Sequence, residues 1–408
     1  MRNIIRHLRG QNPHTQLITG IKSALRAGGE NEVSRVLSSA GRRVGLPRPA
    51  REELSHIITG RLTNTLTHTD ATNRLHTLAN TLPHTLPTDT WLTLENIARS
   101  IGCFHASHTF TTTAHHLIHT TPHPAETRFL AHLHTRNLHG ATTTYTTLPP
   151  EHTHTPFWKD AAHYLWLWSN NTHGHPHHTT DTTWTNTLHG HHLTILGPAP
   201  TTHTPPPTPH LTARVIVPGV MAWSEDSGPF GSACDLAYAN SRSTKWFINN
   251  EPPESFERFR VASFRTEKWR ELGISNGRTA KNHSAFLMLS TDKTNMVPLM
   301  MWDALSVPEV TLTIAGTTFF ATAAAYTPDN LRFTHTDSGT ANTQGSAGGL
   351  FERCLSFSHH ALTDHLSFVA NLVDAGVVAL DEAGHEVVKM SDEEYLSRLD
   401  DLYGVDRI

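Results

Sequence analysis

The residues best suited to chemistry lie in the carboxyl-terminal half of the sequence, at the ends of short apolar runs. Gly197-Pro198-Ala199-Pro200 follows Leu193-Thr-Ile-Leu196, Asn240-Ser241 follows the run from Cys234 to Ala239, and Gly316-Thr317 follows Val310-Thr-Leu-Thr-Ile314. Ser290-Thr-Asp-Lys-Thr294-Asn295 precedes a helical stretch, His335 sits in a Gly/Ser/Thr-rich segment, and Ser358-His359-His360 opens the last long helix. In an open parallel sheet, ligands sit beyond the carboxyl ends of the strands, where loops and helix N-termini present backbone N–H groups. The turn at Gly197 is therefore the expected place for a phosphate-bearing ligand. It is not a dinucleotide fingerprint, because Gly-x-Gly-x-x-Gly is missing and two prolines remove two donors. Polar groups at consecutive strand ends would converge on one cleft.

The elements that must position these groups can be read from the pattern. Apolar runs bounded by Gly and Pro, including Ala213-Arg-Val-Ile-Val217, alternate with helix-like stretches at Met296 to Ala304 and Leu362 to Leu372. That alternation indicates an α/β domain with a mostly parallel sheet. The segment from Phe259 to Phe264 carries no assignable pattern.

The first part of the chain is helical. Leu17, Ile18, Ile21 and Leu25 share one helix face, Val33, Val36 and Leu37 a second, and Leu54, Ile57, Ile58 and Leu62 a third. Asp89 is the expected N-cap of a helix ending at Gly102, and four further short helices follow up to Trp168. Gly102 and Gly140 stand 38 residues apart, each expected at a turn between short helices. This spacing resembles α-hairpin repeats of the tetratricopeptide kind, with an irregular helical bundle as the other reading. The two parts divide into 1–184 and 185–408.

Of 33 histidines in 408 residues, 24 lie between residues 61 and 210, where Lys159 is the only lysine. Thr and His there occupy exposed helix positions usually filled by Lys and Glu. A net charge of -4 gives no basic field for nucleic acid or anionic lipid. Below about pH 6.5 the window would become cationic. Cys103, Cys234 and Cys354 are odd in number and far apart, against both a disulfide framework and a zinc ribbon. No stretch approaches the roughly 18 apolar residues of a membrane span, so a soluble cytoplasmic protein is expected. His173-Gly-His-Pro-His-His178 is the most metal-like string, but clusters of this kind follow from composition, and no metal site is assigned.

The order of motifs resembles the sialyltransferases of glycosyltransferase family 29, in a divergent bacterial form, over about half the chain. Residues 193–217 look like the large motif that begins the donor-nucleotide site, and Cys234 to Asn240 like the strand whose terminal Asn contacts the nucleotide. Residues 290–320 resemble the small motif. His359, four residues and Asp364 resemble the very small motif, with Asp in place of Glu. The resemblance implies a Rossmann-like fold and a metal-independent, inverting transfer of a sialic-acid-like or other 2-keto sugar from a CMP-sugar to a hydroxyl acceptor. It makes His359 the base and His335 a contact of the donor phosphate. An imidazole with an ordinary pKa near about 6.5 suits the first role. His360 is the rival base, and Asp364 would orient the ring or hold the helix end. Gly197, Pro198, Ala199, Asn240, Ser241, Thr294, Asn295, Gly316, Thr317 and His335 would then bind the donor. Arg214, by its place on a strand, reads first as a sheet-edge charge, with a contact to the donor carboxylate as the other reading. The helical part would position the acceptor or a protein partner. The alternative is a non-catalytic helical-repeat scaffold carrying a degenerate transferase domain.

Overall fold

The computed structural model describes residues 12–169, 181–206, 210–218, 229–280, 287–289, 294–322, 354–355 and 358–404. It has the expected class, helices followed by a Rossmann-like α/β arrangement. No helix among the described residues is long and apolar enough to cross a membrane. The chain forms two compact units. One comprises Met1–His123, Asn342–His360 and Ser391–Ile408, the other Pro124–Ala341 and Ala361–Met390.

The first unit is helical, with α1 (Pro13–Ala27), α2 (Glu30–Val36), α3 (Arg48–Thr63), α4 (His68–Thr81), α5 (Thr88–Ser100) and α6 (Phe104–Thr120). Asn12 caps α1 by accepting the His14 N–H at 2.9 Å, and Gly28 ends it in the left-handed conformation, φ 67°. A π turn at Leu37–Gly41 follows α2 directly. The expected stripes converge as one core in which Leu17, Ile21, Leu25, Val33, Leu54, Ile57, Ile58, Leu94 and Phe110 are buried together with Leu355. The cap of α5 is Pro87 rather than Asp89, which instead lies in the first turn, where a carboxylate still favours the positive helix end. The C-terminal helix, Asp392–Tyr403, closes the unit. Its Asp400 carboxylate accepts the backbone N–H of Phe104 at 2.6 Å and of His105 at 3.0 Å, capping α6 from another part of the chain.

The second unit starts with α7 (Ala125–His134), α8 (Leu138–Thr146), α9 (Pro156–Trp168) and α10 (Thr182–Leu188). Helix gives way to strand between Leu188 and His192, close to the expected 184/185 division, yet these four helices cluster with the sheet. Side-chain contacts across the unit explain why: Tyr164 Oη donates to Phe368 O at 2.8 Å and Trp184 Nε1 to Asp303 O at 3.1 Å. Gly140 is not a turn residue. The chain turns at Arg136, φ 54°, and Gly140 lies inside α8, where a Cβ would strike the His132 ring. Gly102, left-handed at φ 78°, does form a turn, so the 38-residue spacing joins two unlike positions.

Seven strands follow among the described residues: β1 (His192–Leu196), β2 (His210–Val215), β3 (Leu236–Ala239), β4 (Val261–Phe264), β5 (Gly277–Thr279), β6 (Thr311–Ala315) and β7 (Val378–Leu380). All pairings are parallel, in the order β5-β4-β3-β2-β1-β6-β7. The inner strands are buried almost throughout, as expected for a sheet covered on both faces. Helices α11 (Ser241–Asn250), α12 (Met296–Ala304), α13 (Leu362–Asp374) and α14 (Glu382–Val388) complete the unit. Beneath the sheet, Arg278 of β5 donates to the buried Asp303 carboxylate at 2.5 and 3.2 Å and to Asp181 at 2.8 Å, and lies 4.2 Å over the Trp184 ring. Tyr238 Oη donates to the same Asp303 at 2.8 Å. Burial alone would lower the Arg278 pKa, but Asp303, Tyr238 and Asp181 together hold it above its ordinary value.

Candidate functional site

Because the strands run parallel, their carboxyl ends form one edge. Read across the sheet, the residues just past those ends are Ala280, Arg265, Asn240, Ile216, Gly197, Gly316 and Asp381. The strand order reverses between β1 and β6, so the loops at Gly197 and Gly316 flank the switch point where open α/β sheets take ligands. The structure places the candidate glycines Gly197 and Gly316 on this edge and on adjacent strands.

At the switch point the two loops interlock. Gly197 N–H donates to Ala315 O at 2.7 Å and Ala199 N–H to Gly316 O at 2.8 Å. A Cβ on Gly197 would overlap Thr317 Oγ1 and the Gly316 carbonyl, and one on Gly316, φ 66°, would overlap Ala199 O. With Pro198 and Pro200 lacking N–H groups, this loop has no amide left for a phosphate. It offers a ligand shape and carbonyls. Beside it stands Asp381, unnoticed in the sequence because it follows a strand of only three residues. Its carboxylate accepts Gly316 N–H at 2.7 Å, Thr201 Oγ1–H at 2.6 Å and Gly384 N–H at 3.0 Å. A fixed carboxylate therefore occupies the donors that an anion would use. Thr317 Oγ1, buried against Gly197, has no hydrogen-bond partner among the described residues.

Two strands away the edge has the opposite character. Asn240 caps α11 by accepting Ser243 N–H at 2.8 Å, which puts Ser241 and the positive end of that helix at the carboxyl end of β3. Next to it is Arg265, whose N–H donates to Ala239 O at 3.1 Å. Its Nη2 donates to Thr294 O at 2.5 Å and contacts Met296 Sδ at 3.3 Å. Burial pushes its pKa down to about 10, so it stays a cation at neutral pH. Among the described residues, Arg265 Nε and Thr294 Oγ1 are both buried and without a hydrogen-bond partner. Arg265 thus joins the expected Asn240-Ser241 pair to the expected Thr294-Asn295 pair. Sequence reasoning missed it because β4 carries no alternation. From the end of β4 to that of β1 is three strand spacings, roughly 14 Å.

The remaining candidates stand as follows. His335, the segment Ser290 to Lys293 and the His173–His178 string lie outside the described residues. His359 and His360 belong to the first unit. Arg26 Nη2 donates to His359 Nε2 at 3.1 Å, and since a guanidinium only donates, that ring nitrogen accepts and the neutral ring carries its proton on Nδ1. Arg99 donates to His360 O, while Lys22 Nζ at 2.7 Å and Asn96 Nδ2 at 3.2 Å donate to Ser358 O. Asp364 is buried in α13 of the second unit, its Oδ1 3.4 Å from His134 Nδ1 and its Oδ2 accepting Leu289 N–H at 3.2 Å. Arg214 Nη2 donates to Gly231 O at 2.8 Å. Among the described residues, no group of three His, Cys, Asp or Glu side chains could hold a metal ion.

No protein-family model matches the chain, and comparison with curated proteins and with solved structures gives no match.

Proposed function

We propose that this protein is an inverting glycosyltransferase that uses a CMP-sugar, taking the nucleotide along the carboxyl edge of the sheet between Arg265 and Gly197. The observation that carries the reading is the half-buried cation Arg265 beside Asn240 and Thr294, with two buried polar atoms that have no hydrogen-bond partner among the described residues. An unpartnered buried donor costs about 1–3 kcal/mol, and a ligand phosphate accepting from it would recover that. A permanent guanidinium supplies the charge that a leaving CMP needs, a protein-borne form of phosphate stabilisation that requires no metal. The roughly 14 Å between the ends of β4 and β1 fits a nucleoside monophosphate bearing a sugar, so the sugar would sit toward the interlocked glycine loops. The transferred sugar is a sialic-acid-like or other 2-keto acid, and His359 is the base that takes the acceptor hydroxyl proton, with His360 as its rival. With the ring proton on Nδ1, Nε2 is the nitrogen that would take the acceptor's proton, and it must first give up Arg26.

The hydrogen bond from Arg26 to His359 favours a second reading, a binding scaffold whose transferase chemistry has lapsed. Thermal shift with CMP, CDP, UMP and GDP separates the two. Selective stabilisation by CMP, about 2.7 kcal/mol at a hundredfold excess over Kd, is the expected result. It should vanish in Arg265→Gln. A shift with none of the four nucleotides, or one unchanged in that variant, overturns the nucleotide site. CMP-sugar hydrolysis abolished in His359→Ala but kept in His173→Ala identifies the enzyme, and CMP binding without hydrolysis identifies the scaffold.

A further inference from the structure

Three side chains of the second unit converge on the backbone that leads into Thr294. His134 Nε2 donates to Leu287 O at 2.9 Å, Asp364 Oδ2 accepts Leu289 N–H at 3.2 Å, and His365 Nε2 accepts Asn295 N–H at 3.1 Å. All three are buried. Only two helices supply them, and those helices are themselves tied. From α13, Ser367 Oγ donates to His134 O at 3.0 Å and Asn371 Nδ2 to Leu133 O at 3.1 Å, satisfying the open carbonyls at the end of α7. His134 is therefore delivered to its place by the same helix that carries Asp364 and His365. His134 Nδ1 also lies 3.4 Å from Asp364 Oδ1, a near contact and not a hydrogen bond, since the ring's proton is on Nε2.

Generic core packing does not need this arrangement. Here two successive α13 side chains, Asp364 and His365, accept from the backbone of two residues of another part of the chain, Leu289 and Asn295. Downstream of the grip, Asn295 caps α12 through Met296 N–H at 2.6 Å, and the Thr294 carbonyl receives Arg265. Movement at Asn295 would shift the start of α12, the Thr294 hydroxyl and the Arg265 guanidinium together.

We propose that His134, Asp364 and His365 are positioning residues that hold the backbone of Leu287, Leu289 and Asn295 so that Thr294 and Arg265 meet the donor phosphate, a role that rests on the nucleotide reading above. The imidazole of His365 must be neutral to accept Asn295 N–H, which places its proton on Nδ1. His365→Leu removes the acceptor at similar volume, and His365→Gln returns one near the Nε2 position.

Two measurements on the full chain test this. In nucleotide-free protein, amide exchange at Asn295 should accelerate at least about tenfold in His365→Leu relative to amides of α13, and return toward wild type in His365→Gln. CMP affinity by calorimetry should fall about tenfold in His365→Leu, through one lost ordering bond, and recover in His365→Gln. Unchanged Asn295 exchange, or an affinity equal to wild type in a folded His365→Leu protein, overturns the positioning role alone. A wild-type protein that binds no CMP overturns the nucleotide reading and with it this role. Should His365→Leu fail to fold, Asp364→Leu, which removes the acceptor of Leu289 N–H, carries the same two measurements, read at Leu289.

Discussion

Asp303→Asn is the sharpest probe of how the sheet unit is held. Asp303 is fully buried and accepts two hydrogen bonds from Arg278 and one from Tyr238, while Arg278 keeps Asp181 and Ser263 as further partners. Removing one member of a buried ion pair costs about 3–5 kcal/mol, because the other charge stays out of water without compensation. The surviving Asp181 contact is partly exposed, so it compensates only in part and puts the expected loss near the lower end, about 3 kcal/mol. In urea, with a slope of about 2–3 kcal/mol per molar, the midpoint should fall by about 1 M at unchanged slope. Arg278→Met should cost a similar amount. The double variant Arg278→Met/Asp303→Leu should lose clearly less than the sum, since well-packed apolar replacements of a buried pair are often neutral. A single-variant loss under about 1 kcal/mol, or strict additivity in the cycle, would refute the network as a coupled unit.

Acid should destabilise the protein well above the carboxylate range. Burial lowers the pKa of His14, His76, His108, His119 and His192, and that of His134 to about 4. Below about pH 6.5 the unfolded chain binds more protons than the folded one, so this contribution is complete above that pH and is lost as the pH falls through the folded values. Tm should drop between pH 7 and 5, with a shallower slope in His134→Gln; a flat profile contradicts it. Cys234 and Cys354, whose thiols burial pushes up to about 12, should resist iodoacetamide at pH 8 in the native protein and react once it is unfolded. Rapid native labelling of either refutes this.

Legibility in the sequence followed element length. Strands β1, β2, β3 and β6 announced themselves as apolar runs ending in Gly, Pro or Asn, the pattern of strands buried on both faces. Strands β5 and β7 are three residues each, too short to show a period, and Val261-Ala-Ser-Phe264 has no alternation. The charged residues just past β4 and β7, Arg265 and Asp381, were hidden for that reason, although they set the electrostatics of the edge. The interlock of Gly197 with Gly316 was invisible because it depends on two loops meeting across a parallel pair, which no local pattern encodes. The His/Thr-rich helices were legible as helices despite poor propensity. Threonines such as Thr113, Thr120, Thr144 and Thr187 return their hydroxyls to the carbonyl four residues earlier, so these polar groups need no outside partner.

Asp400 at the start of α6 has a consequence for biosynthesis. The helical unit is sewn shut by residues far along the sequence, so a ribosome that has reached residue 123 has not yet made the carboxylate that caps α6 or the Leu355 that fills its interior. The emerging helices must wait, partly assembled, while the sheet is translated behind them. A fragment cut at residue 184 would inherit that waiting state permanently, with apolar surface open to aggregation.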